Sequence, residues 1–596
     1  MAHPASRYHR RVLRELACFI ILPCIVTQQL LRWSSISIGA LTVPTYIAGV
    51  ALWIAINRIY STCVQALDRR RKGARSIPCV KGRLPGNIDI LFRMMKDFKT
   101  SYVLDVYLRL FKEYNTKTLN LRILWVDSII TMDQEHSKFI LAAGFHNFWR
   151  GPAQKERMET FLGEGIFNRD DESWKAHRAV ARPFFARDRI SDLDTFARYT
   201  QRTLDILADS ASKNEPVDVQ DLFSRFTLDA TSEFLFGSTF ETLSGMRPVA
   251  GSATMGPKGA AAADPFGSFV QAFEEAQVTC TKRARIGHFW PLFELSGDAN
   301  SENAEHIRRW LDPLVEHALR NKAQRKGIDS PLAERNFLEH LAQSTDDPIV
   351  IRDQLLSMLL AARDTTACLL TYVVYLLALH PDILAKLRAE TLGVCGPNSS
   401  PSPENLRSLK YARAVINETL RLFPPVPLNV RATRDASCAF PFSDTAHGPV
   451  NTLHDSRPLY IPKCTTVLYL PLLTQRDPEL WGQDADVFDP DRWLDDRLAR
   501  FVHNPAMFAP FSAGPRVCIG QNYAYNQATF FLVKLLQRFD TFTLAPEVQP
   551  AGSLPPEEWK DREGRQRYER IWPSNAMTLY IKGGLWVRIS SSQPRH

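Results

Sequence analysis

The stretch "FAPFSAGPRVCIGQNYAYNQATFFLV", Phe508 to Val533, sets one cysteine in a Gly-x-Arg-x-Cys-x-Gly frame and then begins a long apolar run. Three roles are open to Cys518: a small buried hydrophobe, a nucleophile or a metal ligand. A nucleophile needs a base, and the nearest histidine, His503, lies across a turn-rich stretch. A zinc site needs partner ligands at suitable spacing, and none stands nearby. From Asn522 onward, Ala524, Ala528, Phe531, Leu535 and Phe539 recur at three- and four-residue steps, which predicts a buried helix directly after the cysteine.

A single thiolate suffices as the only protein ligand when the other positions belong to a macrocycle. Haem iron held by cysteine is that case, the sulfur pushing electron density onto iron to favour O–O cleavage. The neighbours suit it. Gly514 and Gly520 remove side chains where the backbone turns tightly or passes close to a flat ring. Backbone N–H groups of such a loop can point at the sulfur. Arg516 can pair with a haem propionate, and Phe511 can shield the thiolate.

The rest of the chain narrows the class. Its 596 residues are 45% hydrophobic and 23% charged, the balance of a folded protein. The net charge of +9 suits an anionic membrane surface or an acidic partner, and no basic helix with a reading motif points to nucleic acid. Ten cysteines scatter without a CxxC pair, which argues against a disulfide framework and fits a reducing compartment.

Two uncharged apolar segments open the chain, Leu16 to Leu31 and Trp33 to Asn57, the second long enough to cross a bilayer of roughly 30 Å. Arg7, Arg10, Arg11 and Arg14 precede them, and Arg58 and "RRRKGAR" (Arg69 to Arg75) follow. Positive flanks favour the cytoplasmic side. The expectation is therefore a membrane anchor over residues 1–60, as a hairpin or a single span, with the main body facing the cytosol. A basic, Pro/Gly-containing hinge is expected over 61–87 and one catalytic domain over 88–596.

Within that domain helical periodicity dominates, in "FSRFTLDATSEFLFGSTF", "NAEHIRRWLDPLVEHALRNKAQR" and "IRDQLLSMLLAARDTTACLLTYVVYLLALH". Short β-prone runs are fewer: "TLNLRILWVDSIITM", "RPLYIPKCTTVLYLP" and "MTLYIKGGLWVRI". Leu243 to Pro265 reads as a small-residue surface insertion, and Pro546 to Asn575 as a second irregular segment. The fold class is mainly α with a small β portion.

"FSAGPRVCIG" resembles the haem-binding signature of the cytochrome P450 family, Phe-x-x-Gly-x-Arg-x-Cys-x-Gly, with every fixed position matched. The resemblance implies the cytochrome P450 fold, haem as cofactor and Cys518 as the axial iron ligand. In "NETLRLFPPVPLNVR" and "FDPDRW" it implies that Glu418, Arg421 and Arg492 form a structural triad, and that Arg431 binds a propionate. "ESWKAHRAVARPFF" resembles the family's Trp-x-x-x-Arg helix, which assigns Trp174 and Arg178 to propionate contact, with His177 as a helper. "LLAARDTTACLL" resembles the central helix, Asp364 feeding protons and Thr365 holding the oxygen-side hydrogen bonds. Ala362 stands where the family usually has glycine, and its methyl narrows the groove.

The resemblance runs from the hinge to the C-terminus. "AARDTT", "LFPPVPLNVR" and "AYNQATFFLVKLLQRF" look most like fungal branches that hydroxylate alkanes and fatty acids, with relatives that oxidise polycyclic aromatics. It implies a monooxygenase inserting one atom of O2 into C–H bonds of an apolar substrate. Membrane lipid and NADPH–cytochrome P450 reductase are the implied partners, the endoplasmic reticulum the implied location. The alternatives are a reductase-independent haem-thiolate isomerase or dehydratase, a biosynthetic enzyme acting on a terpenoid or steroid, and a non-catalytic haem sensor or carrier.

Overall fold

The computed structural model describes residues 4–34, 39–185, 193–261, 267–324, 335–443 and 456–591. Helices α1 (Pro4–Leu16) and α2 (Leu22–Trp33) form one rod through a π-turn at Ala17–Ile21, and α3 (Thr42–Arg71) packs back along α2. Leu30, Trp33, Ile47 and Leu52 are each more than half exposed on this pair. Apolar surface on that scale needs a non-aqueous partner. At about 1.5 Å per residue, α3 is long enough to cross a bilayer core of roughly 30 Å. The helix Pro348–Leu379 is nearly as apolar, but 83% of its most apolar window is buried, against 6% and 0% for the two N-terminal candidates. Composition nominates three spans; burial leaves two.

The first turns of the rod dock on the body. Tyr8 and Val12 are buried. The Tyr8 hydroxyl donates to Glu159 at 2.8 Å, and Arg11 donates to Glu156 at 2.7 Å and to the His288 carbonyl at 3.1 Å. Arg11, read from sequence as a membrane flank, is thus committed to protein. Replacing it with leucine is expected to cost about 1–3 kcal/mol of this docking, as for a lost charge-assisted hydrogen bond; faster amide exchange over residues 8–16 is the check.

The 61–87 stretch departs from a hinge. It stays helical to Arg71, because its arginines are good helix formers. Strand β1 (Arg75–Ser76) then pairs with Leu459–Tyr460, which ties the end of α3 to a sheet.

The body's helices include α4 (Gly151–Leu162), α5 (Asp171–Phe184), α6 (Val219–Phe236), α7 (Gly267–Ile286), α8 (Ser301–Gln324), α9 (Pro348–Leu379), α10 (Lys410–Leu422) and α11 (Gln521–Arg538), with others between them. Asp347 starts α9 by accepting from the Ile349 and Val350 N–H groups, with Pro348 at the first helical position, where its missing N–H costs nothing. Helix α9 runs through the core between α6 and α11, and the Phe226 and Phe531 rings, 4.8 Å apart, lock those two together. The main sheet has five strands: β2 (Thr118–Asn120), β3 (Ser128–Thr131), β11 (Thr466–Tyr469), β8 (Asn429–Thr433) and β4 (Phe148–Trp149), in that spatial order.

Two segments read as irregular carry buried structure. In Pro546–Asn575, Trp559 is buried and Arg565 pairs with Glu569 at 2.9 Å, both side chains covered. The expected surface insertion forms a hairpin, β6 (Met255–Gly256) and β7 (Gly259–Ala260), whose turn is pressed into the body; residues 262–265 lie outside the described residues. A Cβ on buried Gly259 would come within 2.5 Å of Gln220 Nε2.

Candidate active site

The cysteine loop is held by its own backbone. The Cys518 N–H donates to the Phe511 carbonyl at 3.0 Å, and a 3-10 turn at Gly514–Arg516 reverses the chain between them. Gly514 has φ +65, and a Cβ there would sit 1.9 Å from the Leu141 carbonyl oxygen, so only glycine fits. Gly520 is different. Its φ is −89, and an added Cβ would meet nothing closer than the Cys518 sulfur at 3.9 Å. The protein itself leaves room there, beside the sulfur. The Phe511 ring packs 5.1 Å from Tyr525 and braces the loop on α11.

Cys518 is exposed by surface, yet burial pushes its thiol up, opposed by the Gly520 N–H and the charge of Arg178. A side chain both accessible and surrounded faces a space inside the protein.

Beside the loop, basic groups converge. Arg516 stacks on Trp174, its guanidinium carbon 4.4 Å from the ring centroid, and donates to Asp170 at 2.7 Å. Arg178, one turn after Trp174 on α5, lies 5.9 Å over the same ring. Strand β8 delivers buried Arg431, which donates to the Val430 carbonyl at 2.8 Å. Arg150 joins them through Asn429 Oδ1 at 2.9 Å and leaves its buried Nε without a partner. Burial, then Arg431 and Arg516, hold Arg150 well below the usual guanidinium range. Burial, then Arg431, push Arg516 down to about 10. Asp170 answers for part of this charge and also accepts the Arg150 and Gly151 N–H groups at 2.8 and 3.1 Å.

This donor set fits the group read from the sequence. A thiol facing an internal space, beside three crowded guanidinium groups whose charge Asp170 and Asp171 answer only in part, matches a haem: an iron needing one sulfur and two propionates needing cations. Arg150 escaped sequence reading, since one arginine before a Gly-Pro helix start has no spacing signature. Burial pushes the His177 imidazole down, with the Glu164 backbone opposing it.

Glu418, Arg421 and Arg492 meet in the core. Arg421 binds Glu418 through two bonds of 2.8 Å, Arg492 donates to Glu418 Oε1 at 2.9 Å, and Trp493 donates to Oε2 at 3.0 Å. Arg421 also donates to the carbonyls of Gln475, Ala485 and Val487.

On α9, Ala361, Ala362 and Thr365 are only partly buried, whereas Arg363 and Asp364 are covered. Ala362 and Ile519, the residue after the cysteine, both pack against the same large apolar cluster. Thr365 donates back to the Ala361 carbonyl at 2.6 Å. Asp364 pairs with Arg363 at 3.0 Å and with Lys258 at 2.7 Å. Burial opposes its charge, but Lys258 and Arg363 outweigh it and hold the carboxyl below the usual carboxylate range.

Comparison with known proteins agrees with this geometry. The family described as cytochrome P450 matches residues 90–558. The chain is 34% identical to the cytochrome P450 monooxygenase himC of Aspergillus japonicus, over 77% of this chain and 77% of that one. It is 34% identical to cytochrome P450 52A4 of Candida maltosa, over 72% and 76%, and 32% identical to cytochrome P450 52-E3 of Starmerella bombicola, over 84% and 92%.

Proposed function

Because this chain belongs to the cytochrome P450 family, whose members are monooxygenases holding haem through a cysteine thiolate, we propose that it hydroxylates C–H bonds of apolar chain-like substrates, fatty acids or alkanes, with fused aromatics as the neighbouring class. Electrons come from NADPH through a separate reductase. The body sits on the cytosolic face of the endoplasmic reticulum, anchored by the α2–α3 hairpin.

One observation carries the apolar substrate. Ala361 and Ala362, next to the relay pair on α9, and Leu428 and Val430, before and within β8, are apolar and only partly buried, and both cations beside this part of α9 are paired. Arg363 is bound to Glu274 at 2.9 Å and Lys258 to Asp364. Apolar surface without free charge disfavours a polar guest.

Bound haem would supply oxygen activation and oxidation of the substrate carbon. The residues do the rest. Arg150, Arg431 and Arg516 would hold the propionates, and Trp174 keeps the Arg516 plane in place. The Gly520 N–H and Arg178 temper the sulfur's basicity. Thr365 Oγ1 is the hydroxyl that presents a proton, and Asp364 is the acid that resupplies it. The apolar wall excludes water.

The test is reconstitution with NADPH–cytochrome P450 reductase and product analysis across fatty acids, alkanes, fused aromatics, terpenes and steroids. Hydroxylated chains, formed only with NADPH and reductase, are expected. Turnover of neither chains nor fused rings overturns the substrate class, and turnover of a peroxide without NADPH overturns the monooxygenase reading in favour of isomerisation.

A further inference from the structure

Lys258 stands at the two-residue turn of the β6–β7 hairpin, in Gly256-Pro257-Lys258-Gly259. A lysine on a Pro-Gly turn would ordinarily keep its ammonium in water. This one is inside, its side chain 7% exposed and that of Asp364 3%. It has three N–H bonds and three acceptors from distant elements: Asp364 Oδ2 on α9 at 2.7 Å, Gln277 Oε1 on α7 at 3.1 Å, and Thr578 Oγ1 at 3.0 Å. Thr578 lies in the turn between strands β13 (Pro573–Asn575) and β14 (Leu579–Ile581). Gly259, buried next to this lysine, leaves a side chain no free space beside Gln220.

The other carboxylate oxygen of Asp364 accepts from Arg363, whose second nitrogen binds Glu274 on α7. Asp221 on α6 acts on Arg363, and the Cys368 thiol stands one turn farther along α9. Two cations, Lys258 and Arg363, are thus directly paired with two carboxylates, Asp364 and Glu274, and Asp221 acts on Arg363 as a third. Both oxygens of Asp364 are occupied, and the Thr365 hydroxyl beside it is spent on its own helix.

We propose that Lys258 is a positioning residue that locks Asp364 away from Thr365, and that withdrawal of the β6–β7 turn is what releases Asp364 to resupply the threonine with protons. This rests on the reading of Asp364 and Thr365 as the proton-relay pair. The lock keeps protons from arriving before substrate does. Without it, NADPH, a proton and O2 would be converted to NADP+ and hydrogen peroxide with no substrate oxidised.

Lys258→Met is expected to raise substrate-free NADPH oxidation and peroxide release about tenfold, a modest part of what a positioned acid contributes. Lys258→Arg, which keeps the charge, should retain most of the lock. Thr578→Val removes one of the three bonds, leaves no carboxylate unpaired, and should leak in the same direction by less. In Lys258→Met/Asp364→Asn the leak should fall to the level of Asp364→Asn alone, since a residue acting through another has no effect once that other is gone. Amide exchange over residues 252–261 should rise about tenfold in Lys258→Met, because the turn loses all three of its lysine bonds.

A leak at the wild-type level in both Lys258→Met and Thr578→Val, unchanged exchange, or a leak that persists in the double variant overturns the lock. If Asp364→Asn leaves the product-to-peroxide ratio with substrate unchanged, the relay reading of Asp364 fails, whatever Lys258 does. The lock fails alone if Asp364→Asn moves that ratio and Lys258→Met moves nothing.

Discussion

The reduced, carbon monoxide-treated protein is expected to show a red-displaced absorption that Cys518→Ser abolishes, and the substitution should lower monooxygenase turnover by about a thousandfold or more, at least ~4 kcal/mol of barrier. A serine hydroxyl is not ionised at neutral pH and cannot donate electron density as a thiolate does. The loop itself should survive. The Cys518 N–H to Phe511 bond, the Gly514 turn and the Phe511–Tyr525 packing do not use the sulfur. The variant should therefore accumulate as folded protein, with any remaining bound haem showing a shifted spectrum. Exposed Cys464, whose sulfur bonds Asp435 and which a serine can replace, is the control and should change nothing. A red-displaced band that persists in Cys518→Ser would end the assignment of the sulfur to iron.

That prediction concerns the most local signal in the chain. The loop motif was legible because its requirements lie within ten residues: a glycine at a positive φ, an N–H aimed at sulfur, a helix starting at once. Glu418 and Arg421, one helical turn apart, gave only a weak signal by spacing, and their place in a triad came from the resemblance to the family. Residues whose meaning comes from partners far along the chain were not legible. Arg150 acquires a role only when β8 and the cysteine loop bring Arg431 and Arg516 beside it. Lys258 sits in a stretch without apolar period, and its three acceptors come from positions 277, 364 and 578. Arg11 looked like a membrane flank because hydropathy cannot tell an arginine facing lipid headgroups from one facing Glu156. The length of α3 was not legible either. The apolar run stops at Asn57, while the helix continues to Arg71 on the helix propensity of its polar residues.

Glu418→Gln is expected to be the most damaging substitution outside the cysteine loop. The glutamine keeps the shape but removes the charge facing Arg421 and Arg492, whose side chains are 0% and 3% exposed. Stranding a buried cation by neutralising its partner costs about 3–5 kcal/mol, a large share of the roughly 5–15 kcal/mol that holds a typical domain together. The damage spreads, because Arg421 also clamps the carbonyls of Gln475, Ala485 and Val487. Arg421→Lys should fail similarly, since one ammonium cannot reproduce the paired bonds to Glu418 and reach those carbonyls as well. The effect has a pH signature. Burial pushes the Glu418 carboxyl up, but Arg421 and Arg492 outweigh it and hold it below the usual range. A group depressed in the folded state contributes its stabilisation above its unfolded pKa and loses it as pH falls through the folded value. The gap between wild type and Glu418→Gln should thus be full at neutral pH and narrow in acid. Thermal inactivation half-lives across that range, with haem retained per mole of protein, give the readout. A Glu418→Gln protein that keeps its haem and its wild-type half-life at neutral pH would show that the cluster contributes nothing to holding the core.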